Sequence, residues 1–248
     1  MFKLRSSSSL TAFPEYIDGP HPYLQLEQRQ VPVEIKHSPR ASRLKLRIDR
    51  QAGVVLILPL RASTKEGLAF LKRELPWVAE KIEKIPETIP FLPESKLPLL
   101  GTPHIIKHVP NERGLVWSED CQIFVTGQIE HVPRRIKDWI KKAAKREITP
   151  RVLNYTAQLG VMHTGITLRD QKTRWGSCSS TGQLNFSWRL FLMPEFVLDY
   201  VVAHEVAHLR HMNHSAQFWG VVNGLNTDVK AAKKWLTRHG PEAHRYGP

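Results

Sequence analysis

Hydrophobic and polar positions alternate along VPVEIKHSPRASRLKLRIDRQAGVVLILP, residues 31–59. A period of two is that of strands with one buried face. Leu44, Leu46 and Ile48 share one side and Arg43, Lys45 and Arg47 the other, a turn follows at Gln51–Gly53, and the apolar run Val54–Leu58 completes three predicted strands. The period then changes. STKE at Ser63–Glu66 has the form of a capping box, and Leu68, Leu71, Leu75, Val78, Ile82 and Ile85 follow at three-to-four spacing. This predicts an amphipathic helix, kinked at Pro76 because proline lacks the N–H that the preceding turn needs.

Four prolines between 86 and 98 interrupt any periodicity and predict a connector. Short strands are expected near His104–His108, Leu115–Trp117 and Gln122–Val125. A second helix starts near Pro133, with Ile136, Trp139, Ile140, Ala143 and Ile148 on one face. Arg134, Arg135, Lys137, Lys141, Lys142, Lys145 and Arg146 fall mostly on the other, and Pro150 is expected to kink or interrupt the helix. Beyond it, Ile166–Arg169, a segment near Trp175 and Gln183–Phe191 read as strands, with an SSTG turn before the last. Pro194 and Glu195 are placed to open a further helix. No internal repeat is visible. The reading is an α+β chain with an unstructured extension over 1–28, strands, a helix and a connector over 29–130, a second domain over 131–240 and a tail over 241–248.

Composition adds an electrostatic bias. The 36 Lys and Arg against 23 Asp and Glu leave a net charge of +13, so anionic partners such as nucleic acid or nucleotides are attracted. The basic helix face is either an ordinary solvated surface or a nucleic-acid contact; no aromatic residues are interleaved on it for stacking. Cys121 and Cys178 are the only cysteines, which suits free thiols in a reducing compartment and predicts a cytoplasmic location. The start, MFKLRSSSSLTAFPEY, lacks the apolar core of a secretory signal, though its Arg/Ser-rich character has a faint likeness to an organelle transit peptide. No run of about 18 apolar residues predicts a membrane span.

The densest chemistry lies in LDYVVAHEVAHLRHMNHSAQFW, Leu198–Trp219. HEVAH at His204–His208 matches the H-E-x-x-H pattern of zinc hydrolases. Residues four apart stack on one helix face, so two imidazoles can reach one ion, while Glu205 is rotated by about 100° toward a water held by that ion. Val201, Val202, Ala203, Val206, Ala207 and Leu209 make the helix apolar nearly all round, so these histidines are expected in a buried setting. Two residues compete to be the third ligand. His211 shares the helix face but lies about 10 Å further along the axis than His204, too far for one ion. If the helix ends near Met212 and Asn213, the chain can fold back and deliver His214, which is the favoured reading, with His211 left to support a ligand or face solvent.

Together, RWGSC at Arg174–Cys178, LNFSWRL at Leu184–Leu190 and the histidine segment resemble the YgjP-like (DUF45) metallopeptidases, relatives of the M48 and WLM-type zincins. A looser likeness extends over roughly 30–240. The resemblance implies zinc on His204, His208 and His214, Glu205 as the catalytic acid–base, and a zincin-like domain whose sheet lies beside the metal helix. It also implies an edge strand, from RWGSC or LNFSW, that binds an extended peptide. The same His spacing occurs in metzincins, but His211 stands where their turn glycine does. Trp175 and Trp188 are expected to pack, Gly176 to allow a close backbone approach, and Cys178 either to be a small buried residue or to stand near the metal. The function expected is a zinc metallopeptidase acting on peptides or proteins. Hydrolysis of nucleotide phosphoanhydrides, or proteolysis of nucleic-acid-associated proteins, are the alternatives.

Overall fold

The computed structural model describes residues 14–26, 30–49, 53–83, 87–225 and 228–247. The chain divides into two compact units, Met1–Pro86 and Glu87–Pro248, a division at 86/87 where the sequence reading places one at 130/131.

In the first unit, β1 (Glu15–Ile17), β2 (Tyr23–Gln25), β3 (Gln30–Ser38), β4 (Lys45–Asp49) and β5 (Gly53–Pro59) form one sheet in the order β1-β2-β3-β5-β4. Residues 14–26 are therefore sheet and not an unstructured extension. Strands of three residues are too short to show a period, and β2 is held by antiparallel pairing to β3. Residues 1–13 and the expected turn residues Gln51 and Ala52 lie outside the described residues. The capping box at Ser63 forms, with its hydroxyl accepting from the Glu66 N–H and the Glu66 carboxylate accepting from the Ser63 N–H. The helix it opens, α1 (Thr64–Arg73), does not kink at Pro76 but ends, and α2 (Leu75–Glu83) begins anew. Proline at the second position of a helix gives up no bond, whereas inside one it would clash with the carbonyl four residues back. Leu71, Val78 and Ile82 of these helices join Val33, Leu56 and Leu58 of the sheet in one core.

The second unit holds β6 (Lys96–Leu99), β7 (Thr102–His108), β8 (Val116–Glu119) and β9 (Gln122–Val125) in the order β6-β7-β9-β8. Part of the expected connector is core: Phe91 is fully buried, edge-on to Trp188. Next comes α3 (Val132–Leu159), 28 residues long and continuous through Pro150. Ile148 and Val152, on either side of that proline, are both fully buried, and the burial offsets a lost hydrogen bond that costs about 3 kcal/mol. Gly160, at φ 63°, ends the helix in the left-handed conformation that glycine adopts without strain. The first half of α3 packs on the four-stranded sheet through Ile136 and Ile140. Its second half shares a core with the histidine helix, so these strands and helices form one body around α3.

A third sheet has β10 (Gly165–Arg169), β12 (Gln183–Ser187) and β11 (Gly176–Cys178) in the order β10-β12-β11. The strand expected over 183–191 stops at Ser187, whose hydroxyl accepts from the Arg189 N–H and starts a 3-10 turn over Trp188–Leu192. After it come α4 (Glu195–Ala207), α5 (Ala216–Leu225) and α6 (Val229–His239). Where a tail is expected, a 3-10 turn over Gly240–Arg245 is anchored by the buried Arg189. Its guanidinium donates to the carbonyls of Ala243 and Tyr246 and pairs with Asp170 at 2.7 Å.

One arrangement recurs three times although the sequence shows no repeat. A first strand pairs in parallel with a third, the intervening second strand pairs antiparallel with that third, and a helix follows. It is built from β3, β4, β5 and α1, from β7, β8, β9 and α3, and from β10, β11, β12 and α4. In each case the second strand occupies a sheet edge. Among the described residues, no helix is long and apolar enough to cross a membrane.

Candidate metal centre

Nearly every residue of α4 from Val197 to Ala207 is buried, as its all-round apolar character requires. The helix ends at Ala207, five residues short of the expected stop near Met212, and Asn213 does not adopt a left-handed conformation. The last turn tightens instead. Leu209 and Arg210 N–H groups bond carbonyls three residues back, and His211 N–H bonds Ala207 O. His208, at the C-cap, keeps a helical conformation and so remains stacked over His204. The chain then leaves the axis, and Ser215 restarts a helix by accepting from the Phe218 N–H.

This path brings His204, His208 and His214 together, with one ring nitrogen from each lying within 4.8 Å of the other two. The Nε2 atoms of His204 and His214 are 3.1 Å apart. For a tetrahedral ion with nitrogen bonds of about 2.0–2.1 Å, neighbouring nitrogens stand roughly 3.3 Å from one another. A proton shared between two rings would account for one such contact but not for the convergence of three. His208 Nδ1 lies 3.1 Å from the carbonyl of His211; donating to it leaves Nε2 with its lone pair free. His211 itself is not in the cluster, and supports it through its main chain alone.

Electrostatics favour the neutral form of His204 and His208. Burial, then the neighbouring His208, His214 and Lys233, push His204 down to about 4. His208 is lowered by burial and by His214, against the bond to His211 O. Neutral imidazoles in a partly buried cluster are metal ligands in waiting. Among the described residues, the buried Nδ1 of His204 has no hydrogen-bond partner.

Phe218 and Trp219 of α5 hold the rings in place. Phe218 lies 4.5–5.0 Å from all three, and Trp219 stacks on His214 at 5.8 Å. The Lys233 ammonium sits 4.4 Å from the centre of the Trp219 ring. The spacing of the histidines says nothing about these walls, because Phe218 and Trp219 read as ordinary helix positions.

Glu205 points to another neighbour. Its carboxyl is 6% exposed and lies against β11, where a Cβ on Gly176 would come within 2.5 Å of its Cγ and 2.6 Å of Oε1. The close approach expected at Gly176 is thus made by this side chain. Burial raises the Glu205 pKa to about 8, opposed by the Arg174 charge. Cys178, half-buried, is pushed up to about 11 by burial and by Glu205, and it is not among the residues that converge with the histidines. Trp188 is fully buried, and Trp175 stacks on His244 at 4.8 Å, so both pack as expected. β11 is an edge strand whereas β12 is central, so only RWGSC can offer an edge.

Comparison with known proteins agrees with this chemistry. A family described as "YgjP-like, metallopeptidase domain" matches residues 42–239. Among solved structures, the metallopeptidase zymogen of Pyrococcus abyssi, abylysin, is 20% identical, with a TM-score of 0.34 over 37% of this chain and 93% of that one. No curated protein matches.

Proposed function

Since the chain belongs to the YgjP-like metallopeptidase family, it is a metal-dependent peptidase, and we propose that it holds zinc on His204, His208 and His214 and uses Glu205 as its acid–base. The observation that carries this reading is the convergence of three imidazoles, two at the end of α4 and one from the turn after it, with one nitrogen of each within 4.8 Å of the others. Zinc in such a site polarises the scissile carbonyl and acidifies water. Every other role falls to this chain's side chains.

Glu205 carries the proton. A carboxyl whose pKa stands near 8 exchanges a proton close to neutrality, which suits a group that takes one from water and returns it to the leaving nitrogen. Its seat against Gly176 fixes it between α4 and the edge strand. An extended substrate laid along β11 by main-chain hydrogen bonds would pass beside that seat. The edge position of β11 favours a peptide over a nucleotide as substrate.

The test is zinc analysis with turnover on peptide and nucleotide libraries. About one zinc per chain is expected, with peptide hydrolysis by the wild type and metal without turnover in Glu205→Gln. Nucleotide hydrolysis in place of peptide hydrolysis would replace the substrate class, and unchanged turnover in Glu205→Gln would remove that residue from the mechanism.

A further inference from the structure

The second of the three repeated arrangements leaves a groove between its edge strand and its helix. Leu115 and Val116 at the start of β8 form one wall, and Arg134, Trp139, Lys142 and Arg146 of α3 the other. The hollow measures about 470 Å³ and joins a second of about 460 Å³, which shares Lys142 and Arg146 and extends to Leu153. The first is a half-open hollow, and the second is a shallow depression that continues it along the helix.

The cations of the groove differ from others on the same helix. Arg151 is 18% exposed and bound by Glu147, Glu195 and Asp199, which ties α3 to α4. Arg135, which also borders the groove, donates to the carbonyl of Thr126. Among the described residues, Arg134, Lys142 and Arg146 have no ion-pair or hydrogen-bond partner, and Asp138 is the one acid in the lining. The groove also exposes aliphatic side chains: Leu115 is 64% and Leu153 54% exposed. A phosphodiester backbone would satisfy the cations and leave these leucines against water or phosphate. A peptide with both acidic and apolar side chains satisfies both.

We propose that this groove is a second peptide-binding site, taking an extended segment in which acidic and aliphatic residues alternate. From Arg134 to Leu153 the helix rises about 28 Å, the length of eight or nine extended residues. Alternation matches the setting, because successive side chains of an extended chain point to opposite sides, so apolar ones can meet the leucines of one side and acidic ones the cations of α3. Its role as a site for holding protein substrates rests on the peptidase reading. Its chemistry does not, and binding is measured without turnover.

The experiment titrates the full-length protein with a fluorescent ten-residue peptide alternating leucine and glutamate, beside an all-glutamate peptide and a twenty-nucleotide oligothymidylate. The alternating peptide is expected to bind best. Lys142→Glu with Arg146→Glu should weaken it at least tenfold, and Leu153→Ser several-fold, while zinc content stays unchanged. Lys65→Glu with Lys72→Glu, exposed lysines on α1, reports the effect of net charge alone and is expected to stay within twofold. Absence of binding at low salt, tighter binding of oligothymidylate, indifference to Leu153→Ser, or equal loss in the α1 control would each overturn the proposal.

Discussion

The helices α3 and α4 each follow the same three-strand arrangement, yet one exposes a basic face beside an open groove and the other is buried along almost its whole length. The difference lies in a few side chains where helix meets edge strand. Leucine and valine at the start of β8 leave a hollow lined by unpaired cations, whereas glycine at the start of β11 admits a carboxyl and closes the gap. The same pattern of strand pairing thus carries two differently lined junctions, and function has to be read from the side chains there.

The largest effect should come from the ligands. His214→Ala is expected to abolish turnover and remove most of the metal. His211→Ala should keep nearly full occupancy and lose at most about 10-fold in rate, because its contribution to His208 is a backbone carbonyl that alanine retains. Elemental analysis and peptide hydrolysis on the two variants check this, and the opposite ranking would contradict the chain path between α4 and α5.

A second change makes the β11 junction more like that of β8. Gly176→Ala places a methyl group 2.5 Å from the Glu205 side chain, so the carboxyl must shift. Turnover should fall about 100-fold or more with the metal retained, at a stability cost of roughly 1–3 kcal/mol. Wild-type rates in Gly176→Ala would mean that the position of Glu205 is not held by this contact.

The last effect touches stability and leaves the metal site's turnover aside. Glu205 titrates near 4.5 when unfolded and near 8 when folded without metal. The folded state binds the proton more tightly, so stability is fully present below the unfolded value and is lost as pH rises from about 4.5 to 8. Glu205→Gln should therefore melt higher than the wild type at pH 8 in metal-stripped protein, by an upper bound of about 5 kcal/mol, and match it near pH 4. Identical melting at both pH values would show that the carboxyl is not desolvated.

Much of the candidate site is written in short-range spacing, which is why it is legible. His204 and His208 are one helical turn apart, and the distance from His204 to His211 excludes a straight helix as the source of a third ligand. The capping box at Ser63 and the strand Gln122–Val125 are likewise local signals, and both occur where the sequence places them. What escapes is decided at long range. The seat of Glu205 at Gly176 joins residues 29 positions apart. The continuity of α3 through Pro150 depends on burial on both sides of it. The end of α4 at Ala207 falls among Leu209 and Arg210, good helix formers with no glycine to mark a stop. The repeated arrangement is a pattern of backbone pairing, and strands as different as GVVLILP, QIFV and QLNFS can all take the third place in it.

That arrangement also bears on how the chain reaches its folded form. Parallel strands ordinarily need a long crossover, and proteins built from them fold slowly because distant segments must meet before any contact rewards the search. Here the crossover is the second strand, itself paired to the third, and the parallel partners stand only about twenty residues apart in all three cases. Each closure is a short loop, and its entropy is offset at once by an antiparallel ladder inside it. The parallel pairing in this protein therefore has the kinetics of local structure, and each three-strand element can assemble before the helix that follows it docks.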